Sequence, residues 1–184
     1  MLVTGKFITM NEYLKTITII KSDLDDTLKK LLDKEEEQLL WIFQEKLLTI
    51  LVLTLCGQRT QFFDQMNQEN LTLNGNVYVY EISNEKTNSR GTTKFAFPEE
   101  LTVYMLYWIK ALDKLKIKQN FWINRLGNSM TENQMNRIIK NNVTKIIPNN
   151  LRKKVANYFF FMIAYWKIKV KKKLKTNCSF TQKC

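Results

Sequence analysis

The chain has 184 residues, 45% hydrophobic and 25% charged, enough for one globular domain with its own core. Its 29 Lys and Arg against 17 Asp and Glu give a net charge of +12, which points to a polyanionic partner, nucleic acid first and an anionic membrane surface second. It has no histidine, which excludes Ser-His, Cys-His and His-acid chemistry, and its three cysteines make neither a disulfide framework nor a zinc-type ligand set. A merely basic protein, ribosomal for example, has the same charge balance. No metal and no cofactor are expected. The first fifteen residues lack the uninterrupted apolar core of a signal peptide, and the apolar runs at 47–55 and 158–166 are too short to span a bilayer. A soluble intracellular protein with no membrane partner is the expectation.

Residues 1–30 read as a linker ending in a short helix, with Asp23, Asp25 and Asp26 ahead of Leu28, Leu31 and Leu32. Asp33 is the expected N-cap of the next helix, with Glu36 three residues on as its capping-box partner. Leu39, Leu40, Ile42 and Phe43 give that helix an inner face, and the uncharged run 47–55 then reads as fully buried. The run breaks at Cys56-Gly57, where glycine lets the chain turn, and delivers Gln58 and Arg59. An arginine at the end of a rigid element suits a phosphate; taken alone, it equally suits a surface ion pair after a helix end. Phe62, Phe63 and Met66 are spaced for a short amphipathic helix.

The period then changes. Leu71 and Leu73, Asn74-Gly75, and Val77 to Tyr80 read as β-structure around a turn, and Lys94-Phe95-Ala96-Phe97 alternates again up to Pro98. Two or three antiparallel strands are expected, with a polar hairpin tip carrying Lys86 and Arg90. Pro98-Glu99-Glu100 opens a helix whose expected inner face is Val103, Leu106, Tyr107, Ile109 and Leu112. A short extended piece, Phe121-Trp122-Ile123, leads to Asn124, Arg125 and Gly127. Thr131 with Gln134 forms a second capping box, opening a helix through Met135, Ile138 and Ile139. Pro148 stops the next segment, and Asn149 or Asn150 caps a last helix that dissolves into the lysines of 167–175.

This order resembles the catalytic domain of the tyrosine recombinase (phage integrase) family over residues 31–166. Gly57-Gln58-Arg59 is similar to the segment holding the family's first catalytic arginine. Lys86-Thr87 ahead of the second strand resembles its hairpin lysine. The piece from Phe121 to Gly127 is similar to the stretch before its Thr- or Ser-capped helix. Asn149-Asn150-Leu151-Arg152 matches its His-x-Leu-Arg box, with Arg152 as second arginine. The resemblance implies an α+β, mainly α fold: a helical domain with a small antiparallel sheet, preceded by a linker or remnant of an N-terminal DNA-binding region at 1–30 and followed by a basic tail at 167–184.

The resemblance also implies a chemistry. In the family a tyrosine attacks a DNA phosphodiester and forms a phosphotyrosyl link. Two arginines stabilise the charge that builds on the phosphate, and a mobile lysine protonates the leaving oxygen. The expected catalytic positions are Arg59, Lys86, Asn149 and Arg152; the expected DNA contacts are Arg90, Lys94, Arg125, Lys153 and Lys154. Double-stranded DNA is the implied partner, with self-association on it. The Lys, Asn and Ile bias fits the A+T-rich genome of a virus or mobile element, and with it a DNA-associated location, the host nucleus if the virus is eukaryotic.

The chain departs from the family in three places. Asn149 stands where a histidine would and cannot act as a base near neutral pH. Phe62 stands where an acid would brace the first arginine. The nucleophile has no counterpart: Tyr158 and Tyr165 lie close after Arg152 in an apolar run, and the family's tyrosine would come about where the chain stops, as after truncation or a frameshift. The reading is of a DNA-binding recombinase-like protein with impaired cleavage; the alternative is a non-catalytic DNA-binding or architectural protein of the same fold.

Overall fold

The computed structural model describes residues 10–34, 36–55, 60–83 and 92–146. In chain order these are helices α1 (Met10–Asp33), α2 (Glu37–Thr54) and α3 (Thr60–Asp64), strands β1 (Leu71–Asn74), β2 (Val77–Ser83) and β3 (Thr92–Ala96), and helices α4 (Thr102–Lys114) and α5 (Glu132–Ile146). The strands form one antiparallel sheet in the order β1-β2-β3. The described chain is thus mainly helical with a small antiparallel sheet, the expected α+β class.

The apolar run expected to be buried is the second half of α2. Leu47, Leu48, Ile50, Leu51, Val52 and Leu53 are all buried. A helix apolar all round needs neighbours on every side, and α1, α4 and α5 supply them.

Residues 10–33 are not a linker with a short helix. They form one continuous helix of 24 residues packed on α2. Its inward positions are Tyr13, Thr16, Ile20, Leu24, Thr27 and Leu31. Two of these six are threonines, which masks the stripe in a reading by hydrophobicity. Each threonine satisfies its hydroxyl on the carbonyl four residues back, Thr16 on Glu12 at 2.8 Å and Thr27 on Asp23 at 2.7 Å. The Lys46 ammonium then staples α2 to α1. It donates to the Asp23 carbonyl at 3.2 Å and Thr27 Oγ1 at 3.3 Å, and pairs with Asp23 Oδ2 at 3.5 Å.

The Asp33–Glu36 capping box does not form. Asp33 is the last residue of α1, and the N-cap of α2 is Glu36, in extended conformation and without a side-chain cap bond. The spacing was right for a box, but the favourable register of α1 carries Asp33 inside the preceding helix.

The β1-β2 hairpin closes on a two-residue loop, Gly75-Asn76, with Asn74 opposite Val77. Gly75 takes φ +61°, the sign that a hairpin turn of this length needs at its first position. Tyr78 and Tyr80 point into the core, and Phe95 faces Tyr80 from β3.

Pro98 precedes a 3-10 turn at Glu99–Leu101, which leads into α4. The inner face of α4 is Tyr104, Met105, Trp108, Ala111 and Leu112, with Leu101 buried just before it, whereas Val103 is 63% exposed. Of the expected face, Leu112 is buried and Tyr107 and Ile109 are half-buried, but Val103 and Leu106 are exposed, because α4 is apolar on nearly every side and its period decides little. Contacts decide instead: the Tyr104 hydroxyl donates to Asp25 on α1, and Trp108 Nε1 donates to the Phe121 carbonyl at 2.7 Å.

Helix α4 ends in a Schellman arrangement. Lys116 N donates to the Asp113 carbonyl and Ile117 N to the Leu112 carbonyl, both at 3.0 Å. The left-handed position that glycine normally fills is held by Lys116, at φ +60°. Lys116→Gly is therefore expected to raise stability by about 0.5–1 kcal/mol, read as a higher urea midpoint at unchanged slope.

Candidate nucleic-acid interface

Helix α5 is the described element built most clearly to present polar side chains. Thr131 and Gln134 form the expected capping box. Gln134 N donates to Thr131 Oγ1 at 3.3 Å, and Thr131 N donates to Gln134 Oε1 at 2.9 Å. The helix start is thus fixed by two reciprocal bonds. Its inner face, Met135, Ile139 and Val143, is buried. Asn142 anchors it further, donating through Nδ2 to the Glu45 carbonyl at 3.2 Å and to Thr49 Oγ1 at 3.0 Å on α2.

The opposite face carries Asn133, Asn136, Arg137 and Lys140, all exposed. Spacings of three and four place them on one side. Among the described residues no carboxylate pairs with Arg137 or Lys140. A rigid helix with amides and cations on its free side matches what a major groove accepts: asparagine can bond adenine through two atoms, and arginine guanine likewise. None of these four residues was singled out from the sequence. Their polar spacing between a capping box and an apolar stripe was the signal that would have found them.

The approach to α5 is also held. Gln44, buried on α2, grips the extended piece at Ile123. Its Nε2 donates to the Ile123 carbonyl at 2.9 Å, and its Oε1 accepts from Ile123 N at 2.9 Å. Phe121, Trp122 and Ile123 are all buried. The Met130 amide then donates to the Trp122 carbonyl at 3.0 Å, tying the residues just before α5 to this piece.

Of the site residues expected from the sequence, Lys94 and Arg125 are described. Lys94 lies on the outer face of the sheet and pairs with Glu81 across the β2-β3 ladder at 3.5 Å. Both side chains stay exposed, so the pair is worth little. Arg125 is exposed on the turn before α5, and no carboxylate among the described residues pairs with it. Arg59, Lys86, Arg90, Asn149, Arg152, Lys153 and Lys154 lie outside the described residues, as do Tyr158 and Tyr165.

Phe62 is a core aromatic. Its ring packs edge-on against Phe63, Tyr80 and Phe95, with centroids 5.0, 5.4 and 4.8 Å away. Among the described residues no helix is long and apolar enough to cross a membrane, and no cluster of His, Cys, Asp or Glu is placed to hold a metal ion.

Four of the five described tyrosines are poor nucleophiles. Tyr13, Tyr78, Tyr80 and Tyr104 are buried. Tyr13 donates to the Leu53 carbonyl, and Tyr80 to the Gln65 carbonyl at 2.7 Å. Burial pushes the Tyr78 and Tyr80 hydroxyls above their ordinary range. Tyr104 is pushed up further, by burial first and then by Asp25. Tyr107 is half-buried, with its ring edge-on to Phe43.

No family model, no curated protein and no solved structure matches this chain.

Proposed function

We propose that the chain binds duplex DNA through the outward face of α5, in a protein laid out like the tyrosine recombinases whose own strand cleavage is impaired. The observation that carries the DNA reading is that face: Asn133, Asn136, Arg137 and Lys140 exposed together on a helix locked to the core. The charge distribution supports it. Residues 147–184 carry ten Lys and Arg and no Asp or Glu, a segment suited to displacing counterions from a phosphate backbone. The recombinase part rests on the order of motifs in the sequence, with Arg59, Lys86, Asn149 and Arg152 at the scissile phosphate and self-association on the DNA.

The impairment is proposed because none of the tyrosines in this sequence stands where the resembled family has its nucleophile. A tyrosine that attacks phosphorus must be exposed and easy to deprotonate, and burial does the opposite to Tyr78, Tyr80 and Tyr104. The buried tyrosines also favour a second reading, a non-catalytic DNA-binding or architectural protein that keeps the fold and the phosphate contacts.

A nicked suicide duplex, followed by denaturing electrophoresis, tests cleavage. A DNA complex without a covalent adduct is expected; a phosphotyrosyl adduct would overturn the impairment. Arg59→Ala and Arg152→Ala are each expected to weaken binding and flatten its salt dependence by about one phosphate contact. Binding indifferent to both arginines would remove the recombinase-like layout and leave the α5 interface standing. Strand exchange between two duplexes needs the cleavage step, so its appearance would overturn both the impairment and the architectural reading.

A further inference from the structure

Just before α5 the chain makes a turn at 124–128 whose tip faces solvent. Asn124 fixes it. Its Oδ1 accepts from Leu126 N at 2.9 Å and from Asn128 N at 3.2 Å. Its carbonyl accepts from Gly127 N at 2.9 Å, and its own N–H donates to the Asn128 carbonyl at 2.8 Å. Gly127 takes φ +78°, which a side chain would oppose. Four bonds within five residues make this tip rigid.

The tip carries Arg125 and Leu126. Leu126 is 85% exposed, the most exposed of the large apolar side chains among the described residues. A lone exposed leucine is ordinary on a surface. This one sits on a locked turn beside an exposed arginine with no carboxylate partner among the described residues.

A second turn lies against it. A β-carbon added at Gly127 would stand 3.9 Å from Ile117 Cδ1. Ile117 is flanked by Lys116 and Lys118, both exposed and neither paired with a carboxylate among the described residues. Gln68 pins this second turn, donating through Nε2 to the carbonyls of Ile117 at 2.8 Å and Asn120 at 3.2 Å. Lys116, held in left-handed conformation after α4, directly precedes Ile117 in this second turn.

A stiff apolar wedge, an adjacent arginine and flanking lysines form the set by which proteins open and bend the minor groove. The arginine is drawn to the groove's negative potential, and the wedge partly unstacks one base step. We propose that the 124–128 turn is a second DNA contact of this kind: Arg125 lies in the minor groove, Leu126 wedges against a base step, and Lys116 and Lys118 meet the flanking phosphates. This rests on the DNA reading above and adds a mode of action, bending, that the face of α5 does not supply.

The test uses the full chain, a duplex labelled at both ends for energy transfer, and vesicles of phosphatidylcholine with about one-third phosphatidylserine. The wild-type chain is expected to bend the duplex by about 20° or more. Leu126→Ser is expected to abolish the bend and weaken binding about threefold, and Arg125→Ala to weaken it about tenfold. Lys118→Gln is expected to reduce the salt slope by about one contact. Thermal unfolding of each variant should match the wild type, since these side chains are exposed. If the wild-type chain binds the duplex but the Leu126 and Arg125 variants bind and bend like it, the wedge is refuted and the α5 interface survives. If the wild-type chain binds no duplex, both fall together. If Leu126→Ser costs vesicle binding and leaves DNA bending intact, the tip is a membrane contact and the proposal is overturned.

Discussion

Replacing Asn133 and Arg137 together by alanine is expected to lower affinity for duplex DNA about a hundredfold, since each two-atom base contact contributes about 1–3 kcal/mol. The fold should not notice. Both side chains are exposed, on the side of α5 away from Met135, Ile139 and Val143. Exposed substitutions of this kind shift stability by about 0.5 kcal/mol or less. Loss of binding at an unchanged unfolding midpoint therefore separates a lost contact from a lost fold. The loss should also depend on sequence, because base contacts discriminate among duplexes. Removing Lys140 instead should weaken all duplexes alike and lower the salt slope. Equipment for the test is simple: fluorescence anisotropy at two salt concentrations on two duplexes of different sequence.

The second large effect lies inside the protein. Gln44→Leu is expected to cost about 4 kcal/mol, because it leaves the buried N–H and C=O of Ile123 without partners, each at about 1–3 kcal/mol. That is a large part of the about 5–15 kcal/mol that holds a domain together, and it should lower the unfolding midpoint by about 10 °C. Gln44→Glu makes the same point through pH. A carboxyl there can donate to the Ile123 carbonyl only when protonated, so its folded pKa must stand above the unfolded value of about 4.3. Stability is then closest to the wild type below about pH 4.3 and is lost as pH rises toward the folded pKa. A variant equally stable at both ends of that range would show that Gln44 does not hold the strand.

These two sites differ in how far a reader of the sequence could reach them. The capping box at Thr131 was legible because both partners are three residues apart and nothing competes for them. The Asp33–Glu36 pair has the same spacing and failed, because α1 is long enough to absorb Asp33. Helix α1 escaped notice because Thr16 and Thr27 hold two of its buried positions, and a hydroxyl bonded to its own helix counts as polar only in the sequence. The inner face of α4 was misplaced because the buried Tyr104 takes its partner from α1, 79 residues away. The Gln44–Ile123 clasp spans the same separation and has no local signature at all. The buried run of α2 and the Gly75 turn were legible for the opposite reason: each is settled within a few residues.

The candidate site divides in the same way. Exposed cations such as Arg125 can be named from the sequence, but the partner of Lys94 depends on the β2-β3 register, which sets Glu81 opposite it. The α5 face was in plain view as Asn133, Asn136, Arg137 and Lys140 at helical spacing.

Amide chemical shifts of the isotope-labelled chain, followed while a duplex is added at moderate salt, test the α5 interface most directly. The largest changes are expected on Asn133, Asn136, Arg137 and Lys140, with the buried face at Met135 and Ile139 much less affected. A chain whose α5 signals stay still at saturating duplex would contradict that interface.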